Sequence, residues 1–553
     1  MAKTRYIFVT GGVCSGLGKG TAMASIGAIL KAAGYTVRVM KMDPYLNIDP
    51  GTMSPYQHGE VFVTDDGYEA DLDLGHYERF IDEPLSRHSN VTTGQVYQQV
   101  LLAERQGSYL GRTIQVIPHI TTVIKERIRE AVARTAPDFL LIEIGGTVGD
   151  IEGEPYLEAA RQFHREVGSE NVMFALVTLL PYLATSGELK TKPTQMAVRE
   201  LHRVGIQPDI IFCRADKKIP KELLEKIALF ADVSTKAAIP CPTLKSIYEV
   251  PISLENNGLS KLIYEHFALK AKRPNLSAWK NLVKALKNGR KRMTVALVGK
   301  YTAHGDAYIS VREALKAAAA YLGAKLSIID IDSEKLEAKE AREWKRLEEV
   351  NGMVVPGGFG VRGIEGKIMA AQYCREHKVP YFGLCLGMQI MSIEFGRMLL
   401  QTKDVNSTEF DSKATHPVIH IMPEQRKNLE DKHMGASMRL GAYACELKPS
   451  TLAYAAYTAK QPSAVPIEEK GGRVVISERH RHRYEVNNDF REKLEKGGMI
   501  FSGINPERNL IEIIELKNHP FFVGTQFHPE FKSRPLNPHP LFKEFIKSAI
   551  KTN

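Results

Sequence analysis

The sequence predicts an α/β protein of two domains, each built around a parallel sheet. Three features carry that expectation. Continuous apolar, β-rich runs recur through both halves, separated by stretches long enough for crossover helices, which is the pattern of strands buried on both faces. The pattern breaks once, over 268–292, where a Lys- and Arg-rich connector with one amphipathic helix, 279–286, leads straight into a new strand. A chain of 553 residues, at roughly 150 per domain, also needs more than one core. The expected organisation is a first domain over 1–267, a linker over 268–292 and a second domain over 293–553.

Strands are expected over 6–10, 36–40, 139–144, 172–180 and 209–213 in the first half. In the second they are expected over 294–298, 326–331, 352–355, 379–384, 473–477 and 522–526. With 43% hydrophobic and 25% charged residues the composition excludes disordered, collagenous and membrane-embedded classes. No apolar run approaches the roughly 20 residues that span a bilayer. The amino terminus has neither the apolar core nor the cleavage site of a signal peptide, so the expected location is cytoplasmic. Six cysteines are too few for a disulfide framework and form no metal-binding spacing, so a special cysteine would be catalytic. The net charge of +10 is not concentrated in a tail or tract, which favours basic residues converging on phosphates in pockets over a nucleic-acid face.

The run 6–10 enters Gly11-Gly-Val-Cys-Ser15-Gly-Leu-Gly-Lys19-Gly20 and then an Ala-rich helical pattern over 21–33. Glycines between a strand and a helix aim backbone N–H groups at an anion, and the lysine supplies charge for terminal phosphates. The spacing departs from the standard phosphate loop: Gly12 is one residue early, and Gly20 stands where a Ser or Thr would meet Mg²⁺. Lys41 follows the second strand, and the carboxylates Asp73 and Glu143 are candidate Mg²⁺ ligands at the carboxyl ends of strands. Glu143 stands out because it interrupts an apolar strand, where an unpartnered charge is costly. A second basic segment, 186–195, reads as a loop; it and Lys226 could hold another polyphosphate or simply be solvated.

In the second half, Gly383-Leu-Cys385-Leu-Gly387 joins a strand to a helix in the cysteine form of a nucleophile elbow. His528 follows another strand, with Glu530 two residues on to orient it, giving a triad of Cys385, His528 and Glu530. Gly358, after a third strand, supplies an oxyanion N–H alongside that of Leu386. The bland alternative for Cys385, a small buried hydrophobe, leaves the flanking glycines unexplained. A metal reading of His480 and His482 is rejected because no Cys or acidic set lies near them in sequence.

Longer blocks resemble the CTP synthase family: Lys41-Met-Asp-Pro-Tyr45, Asp71-Leu-Asp-Leu-Gly-His-Tyr-Glu-Arg-Phe80, Glu143-Ile-Gly-Gly-Thr-Val-Gly-Asp-Ile-Glu152 and Lys190-Thr-Lys-Pro-Thr-Gln195. The elbow and the His-Pro-Glu stretch resemble class I glutamine amidotransferases in general. The resemblance implies a P-loop, dethiobiotin-synthetase-like domain joined to an amidotransferase α/β domain. It implies that ATP phosphorylates O4 of UTP and that ammonia channelled from glutamine replaces the phosphate at C4 to give CTP. By motif, Ser15, Gly16, Leu17, Gly18, Lys19, Gly20 and Asp73 would hold ATP, with Pro242, Thr243 and Leu244 near adenine. Lys19 and Lys41 would stabilise the moving phosphoryl group, and Asp73 and Glu143 would bind Mg²⁺. UTP or CTP would meet Ser15, Asp150, Ile151, Glu152, Lys190, Thr191, Lys192, Pro193, Thr194, Gln195 and Lys226. Glutamine would meet Gly358, Leu386, Gly387, Met388, Gln389, Glu409 and Arg483.

The same resemblance implies GTP as activator, CTP as feedback inhibitor and a homotetramer, with filament formation left open and no nucleic-acid or membrane partner. The loop departs from the family pattern at Cys14 and Gly16. The phosphate loop and elbow alone also allow an amidoligase acting on a carboxylate, which the block 190–195 opposes. A nucleotide switch with a scaffold second half is opposed by the complete triad.

Overall fold

The computed structural model describes residues 4–54, 58–300, 305–422, 425, 437–459 and 465–551. The chain divides into two compact units, one of 1–49 with 76–283 and one of 50–75 with 284–553.

In the first unit seven strands form one sheet, in the order Ala238–Pro242, Ile210–Ala215, Val172–Leu179, Arg5–Gly11, Phe139–Ile144, Val37–Asp43, Asn90–Thr92. Every pairing is parallel. The central strands are buried on both faces, with Ile7, Phe8, Val9, Leu140, Leu141 and Ile142 all inaccessible, as their unbroken apolar sequence requires. Amphipathic helices Glu154–Val167 and Lys192–Val204 bury Tyr156, Leu157 and Phe163, and Ala197, Val198 and Leu201, respectively. Helix Lys19–Ala32 follows the first strand; a Cβ on Gly27 would lie 2.9 Å from the Ile81 side chain, so glycine there permits close packing.

The second unit carries a ten-stranded mixed sheet. Five neighbours are parallel: Ala324–Asp332, Lys291–Gly299, Gly352–Val355, Tyr381–Leu384 and Phe522–Thr525. The sheet then continues antiparallel through Leu510–Leu516, Met499–Asn505, Arg439–Leu447, Arg473–His482 and Ile467–Lys470. The strand expected over 473–477 runs on to His482 and lies in this antiparallel part.

Along Arg473–His482 the period of two sorts the Arg-His-Arg-His run by face. His480 and His482 point into the core. Arg479 and Arg481 instead meet the segment 50–75. Arg479 Nε donates to Asp65 Oδ1 at 2.6 Å, Arg481 Nε donates to Glu69 Oε1 at 2.8 Å, and Phe62 stands edge-on to Phe531 with ring centres 5.1 Å apart.

Candidate active site

Three adjacent parallel strands of the second unit, Gly352–Val355, Tyr381–Leu384 and Phe522–Thr525, end side by side, bringing the Gly358 turn, Cys385 and His528 to one edge. Cys385 sits at φ 50°, ψ −98°, a conformation that a side-chain-bearing residue keeps only when its surroundings impose it. The flanking glycines show what imposes it. A Cβ on Gly387 would lie 2.1 Å from the Val355 carbonyl oxygen, and one on Gly383 would lie 2.5 Å from Gly387. The helix Leu386–Leu400 starts at the next residue, so its positive end faces the thiol.

The Cys385 Sγ lies 3.8 Å from the Arg481 carbonyl oxygen and accepts from Gln526 Nε2 at 3.6 Å. His528 Nδ1 is 2.7 Å from Glu530 Oε1, and the imidazole stacks on Phe531 at 5.0 Å. Burial works against a charged imidazole, but the Glu530 carboxylate and the Cys385 sulfur outweigh it and push His528 up to about 10. Cys385, His528 and Glu530, read in the sequence as a triad, are thus brought together, with the imidazole held by the carboxylate. Gly357 has no room for a side chain, since a Cβ would lie 2.8 Å from His528 Cε1.

A cavity of about 590 Å³ opens onto the thiol, with Gly358, Glu409, Arg481, Arg483 and Tyr484 in its wall together with Gly51, Thr52 and Glu60. Burial raises the Glu409 carboxyl, against a hydrogen bond accepted from the Gly360 N–H at 2.7 Å and the nearby Lys300 and Lys367. Arg483, lowered by burial, donates to Gln425 Oε1 and Ser437 Oγ at 2.9 Å each. Leu386, Gly387, Met388 and Gln389 form the first helical turn behind the thiol rather than the cavity wall, and Gln389 Nε2 donates to the Tyr484 carbonyl at 3.0 Å. Beneath the Gly358 turn, Lys367 is fully buried and its Nζ has no hydrogen-bond partner among the described residues. Burial, with Lys300 and Arg362 adding to it against Glu409, pushes this amine down to about 7.

In the first unit the phosphate loop spans 12–18 between strand and helix, with Gly16 at φ 74° and Gly18 at φ 83°, both left-handed. Gly12 faces Ala197 so closely that a Cβ would lie 2.2 Å from the alanine methyl. Ser15 and Gly16 are exposed; Leu17, Lys19 and Gly20 are buried. Lys19 folds back along Gly11, and its Nζ donates to the Gly146 carbonyl at 2.7 Å. Lys41 and Glu143 are cross-strand neighbours at the carboxyl end of the sheet. Lys41 Nζ lies 3.4 Å from Asp43 Oδ1, and Glu143 Oε2 accepts from the Tyr77 hydroxyl at 2.5 Å. Asp73 stands in the first turn of helix Leu72–Ile81 and groups with the second unit. A cavity of about 240 Å³ is lined by Leu17, Gly18 and Thr21 and by Pro242, Thr243 and Leu244, so two stretches far apart in sequence meet at one site.

The segment read as a basic loop differs from that expectation. Lys192, Pro193, Thr194 and Gln195 are the first turn of helix Lys192–Val204, because Pro193 fits a helix start and the alternating apolar face begins there. Thr194 and Gln195 are buried: Thr194 donates to the Leu179 carbonyl at 3.2 Å, and Gln195 Nε2 donates to Thr191 Oγ1 at 3.1 Å. Lys190 pairs with Glu188. Lys226 is exposed on helix Lys221–Ala231. Asp150 Oδ2 accepts from the Thr147 N–H at 2.8 Å, beside exposed Ile151 and Glu152.

Sequence reasoning missed Gln526, Arg481 and Tyr484; Gln526 lies inside the stretch that gave His528, and its place next to a buried nucleophile was the available signal. The reason given for rejecting a His480 metal site also needs correction. The fold supplies an acid, Glu512, 2.7 Å from His480 Nε2, but Glu512 also pairs with Arg439 at 2.8 Å. Among the described residues no group of three or more His, Cys, Asp or Glu could hold a metal ion by itself.

A phosphate loop at the end of a parallel sheet, carried in one chain with a preformed Cys-His-Glu site of the amidotransferase kind, defines a nucleotide-using ligase that draws on glutamine. Comparison with known proteins narrows the class. The CTP synthase N-terminus model matches residues 5–269, and the class I glutamine amidotransferase model matches 303–548. A CTP synthase of Roseiflexus sp. (strain RS-1) is 55% identical over 549 residues, 99% of this chain and 95% of the relative. That of Carboxydothermus hydrogenoformans is 54% identical over 550 residues, 100% of this chain and 99% of the relative. The chain belongs to the CTP synthase family. Glutamine-dependent amination of UTP is the activity these matches support.

Proposed function

We propose that the chain makes CTP from UTP, ATP and glutamine, with the residue roles that follow. The observation that carries the amidase half is the strained Cys385 beside an imidazole held by Glu530. His528 takes the thiol proton and Cys385 attacks the amide carbon of glutamine. The N–H groups of Gly358 and Leu386 receive the developing oxyanion. His528 then hands its proton to the departing ammonia, and water, activated by the same imidazole, hydrolyses the thioester to glutamate. Glu409 and Arg483 in the cavity wall suit the charged α-amino and α-carboxylate ends of glutamine. Gln389, Gly387 and Met388 shape the turn behind the thiol.

In the other half, loop 15–20 wraps the ATP phosphates, Lys19 and Lys41 offset charge on the phosphoryl group moving to O4 of UTP, and Pro242–Leu244 face the adenine. Lys190–Gln195, Asp150–Glu152 and Lys226 are the proposed UTP and CTP contacts, of which Lys190, Thr191 and Lys192 lie at a helix start suited to an anion. Asp73 and Glu143 would hold Mg²⁺. Their hard oxygens fit that ion, which is held by one or two carboxylates plus substrate phosphates. When bound, Mg²⁺ neutralises phosphate charge. GTP activation, CTP inhibition, assembly into a homotetramer and a cytoplasmic location complete the reading. No helix among the described residues is long and apolar enough to cross a membrane.

The test is absorbance-monitored conversion of UTP to CTP with ATP and Mg²⁺, supplied with glutamine or with ammonium chloride. CTP from both sources is the expected result, and none from either, with folded protein, would reject the reading.

A further inference from the structure

Gln526 has no part in the mechanism above, yet it is fully buried and touches the nucleophile. Its backbone N–H is fixed on the Glu512 carbonyl at 2.8 Å. Its side chain lies between two groups: Nε2 reaches Cys385 Sγ at 3.6 Å, and Oε1 accepts from Gln389 Nε2 at 3.4 Å. The direction of this amide follows from its neighbours. The Tyr484 carbonyl can only accept, so Gln389 must turn its Nε2 toward it. Gln526 must then offer its oxygen to Gln389 and its N–H to the sulfur.

Besides His528, the sulfur's other close partner is the Arg481 carbonyl, which suits a neutral S–H and repels a thiolate. The two contacts favour opposite forms of the same group. Once the proton has moved to His528, the Arg481 contact turns unfavourable, and the Gln526 N–H remains as a side-chain donor on the sulfur. We infer that Gln526 is a positioning residue that stabilises the thiolate form of Cys385 and ties it, through Gln389, to the Tyr484 wall of the cavity. The inference rests on the amidotransferase reading of the site.

The experiment uses the full chain with Gln526→Met and Gln526→Leu, which both remove the donor at nearly constant volume, and a denaturation midpoint for each guards against a packing defect. Cys385 alkylation by iodoacetamide is followed across pH 6–10 by mass spectrometry, alongside glutamine hydrolysis and ammonia-dependent CTP formation. In both variants the rising limb of alkylation should move to higher pH, with the rate at pH 7 down about tenfold, as loss of one hydrogen bond to a charged group implies. The kcat for glutamine should fall by a similar factor while ammonia-dependent CTP formation persists. An alkylation limb that stays where the unmodified chain has it, even with kcat reduced, would overturn the inference and leave Gln526 a packing residue. Absence of glutamine hydrolysis in the unmodified chain would instead reject the amidotransferase reading, which separates the two failures.

Discussion

The amidotransferase site and the phosphate site prepare for negative charge in different ways. Around Cys385 the backbone is held in an unfavourable conformation, the base is already paired to Glu530, and the pocket is buried. Around the phosphate loop, Ser15 and Gly16 are exposed, while Lys19 and Lys41 are engaged with protein oxygens. The difference follows from where the charge comes from. An oxyanion that lives only in a transition state must find its donors in place. On the proposed reading phosphates arrive already charged, so backbone N–H groups and two lysines able to exchange one oxygen partner for another are enough.

The largest expected effect sharpens that contrast. Cys385→Ala should cut glutamine-dependent CTP formation by on the order of 10⁴-fold or more while sparing the ammonia-dependent reaction, as removal of a nucleophile that acts as a unit with its base implies. Loss of both reactions in a folded Cys385→Ala would break the comparison, because the two sites would then not be separable. Lys19→Met should do the reverse: CTP formation from glutamine and from ammonia should fall together by roughly 10²–10³-fold, with Cys385 alkylation unchanged. A smaller, structural effect is expected from Gly387→Ala. With the new Cβ 2.1 Å from the Val355 oxygen, stability should drop by about 3 kcal/mol in chemical denaturation and glutamine turnover should go with it. An unshifted denaturation midpoint would mean that the elbow is not held by this contact.

The same contrast explains what could be seen in the sequence. Central strands such as Val172–Leu179 and Tyr381–Leu384 announce themselves as apolar runs, and the glycines around Cys385 mark a turn that nothing else explains. The edge strand Ala238–Pro242 was invisible because Pro240 and Pro242 read as breakers. Pairing on one side only tolerates them. The start of helix Lys192–Val204 was hidden by Lys190 and Lys192, which look solvated until the buried Thr194 and Gln195 are placed. The place of 50–75 in the second unit depends on Asp65 and Glu69 meeting arginines more than 400 positions away, a pairing no local pattern encodes. For the same reason Gln526 could be read only as a neighbour of His528, not as a partner of the sulfur.

The smallest expected effect concerns Lys367, where the amidotransferase site carries a cost rather than a function. Its amine is fully buried under the Gly358 turn with no hydrogen-bond partner among the described residues and is pushed from its ordinary value near 10.5 down to about 7. Between those two values the folded state binds fewer protons than the unfolded state, so stability should rise with pH across that window. The penalty is complete below about pH 7 and gone above the unfolded value. Lys367→Met keeps the length of the side chain and removes the polar end, so it should stabilise the chain by about 1–3 kcal/mol at pH 7. It should also flatten the rise in denaturation midpoint between pH 7 and pH 9. If that rise survives in Lys367→Met, the buried amine is not its source, and the preparation of this site would have to be ascribed to Cys385, His528 and Glu530 without a cost at Lys367.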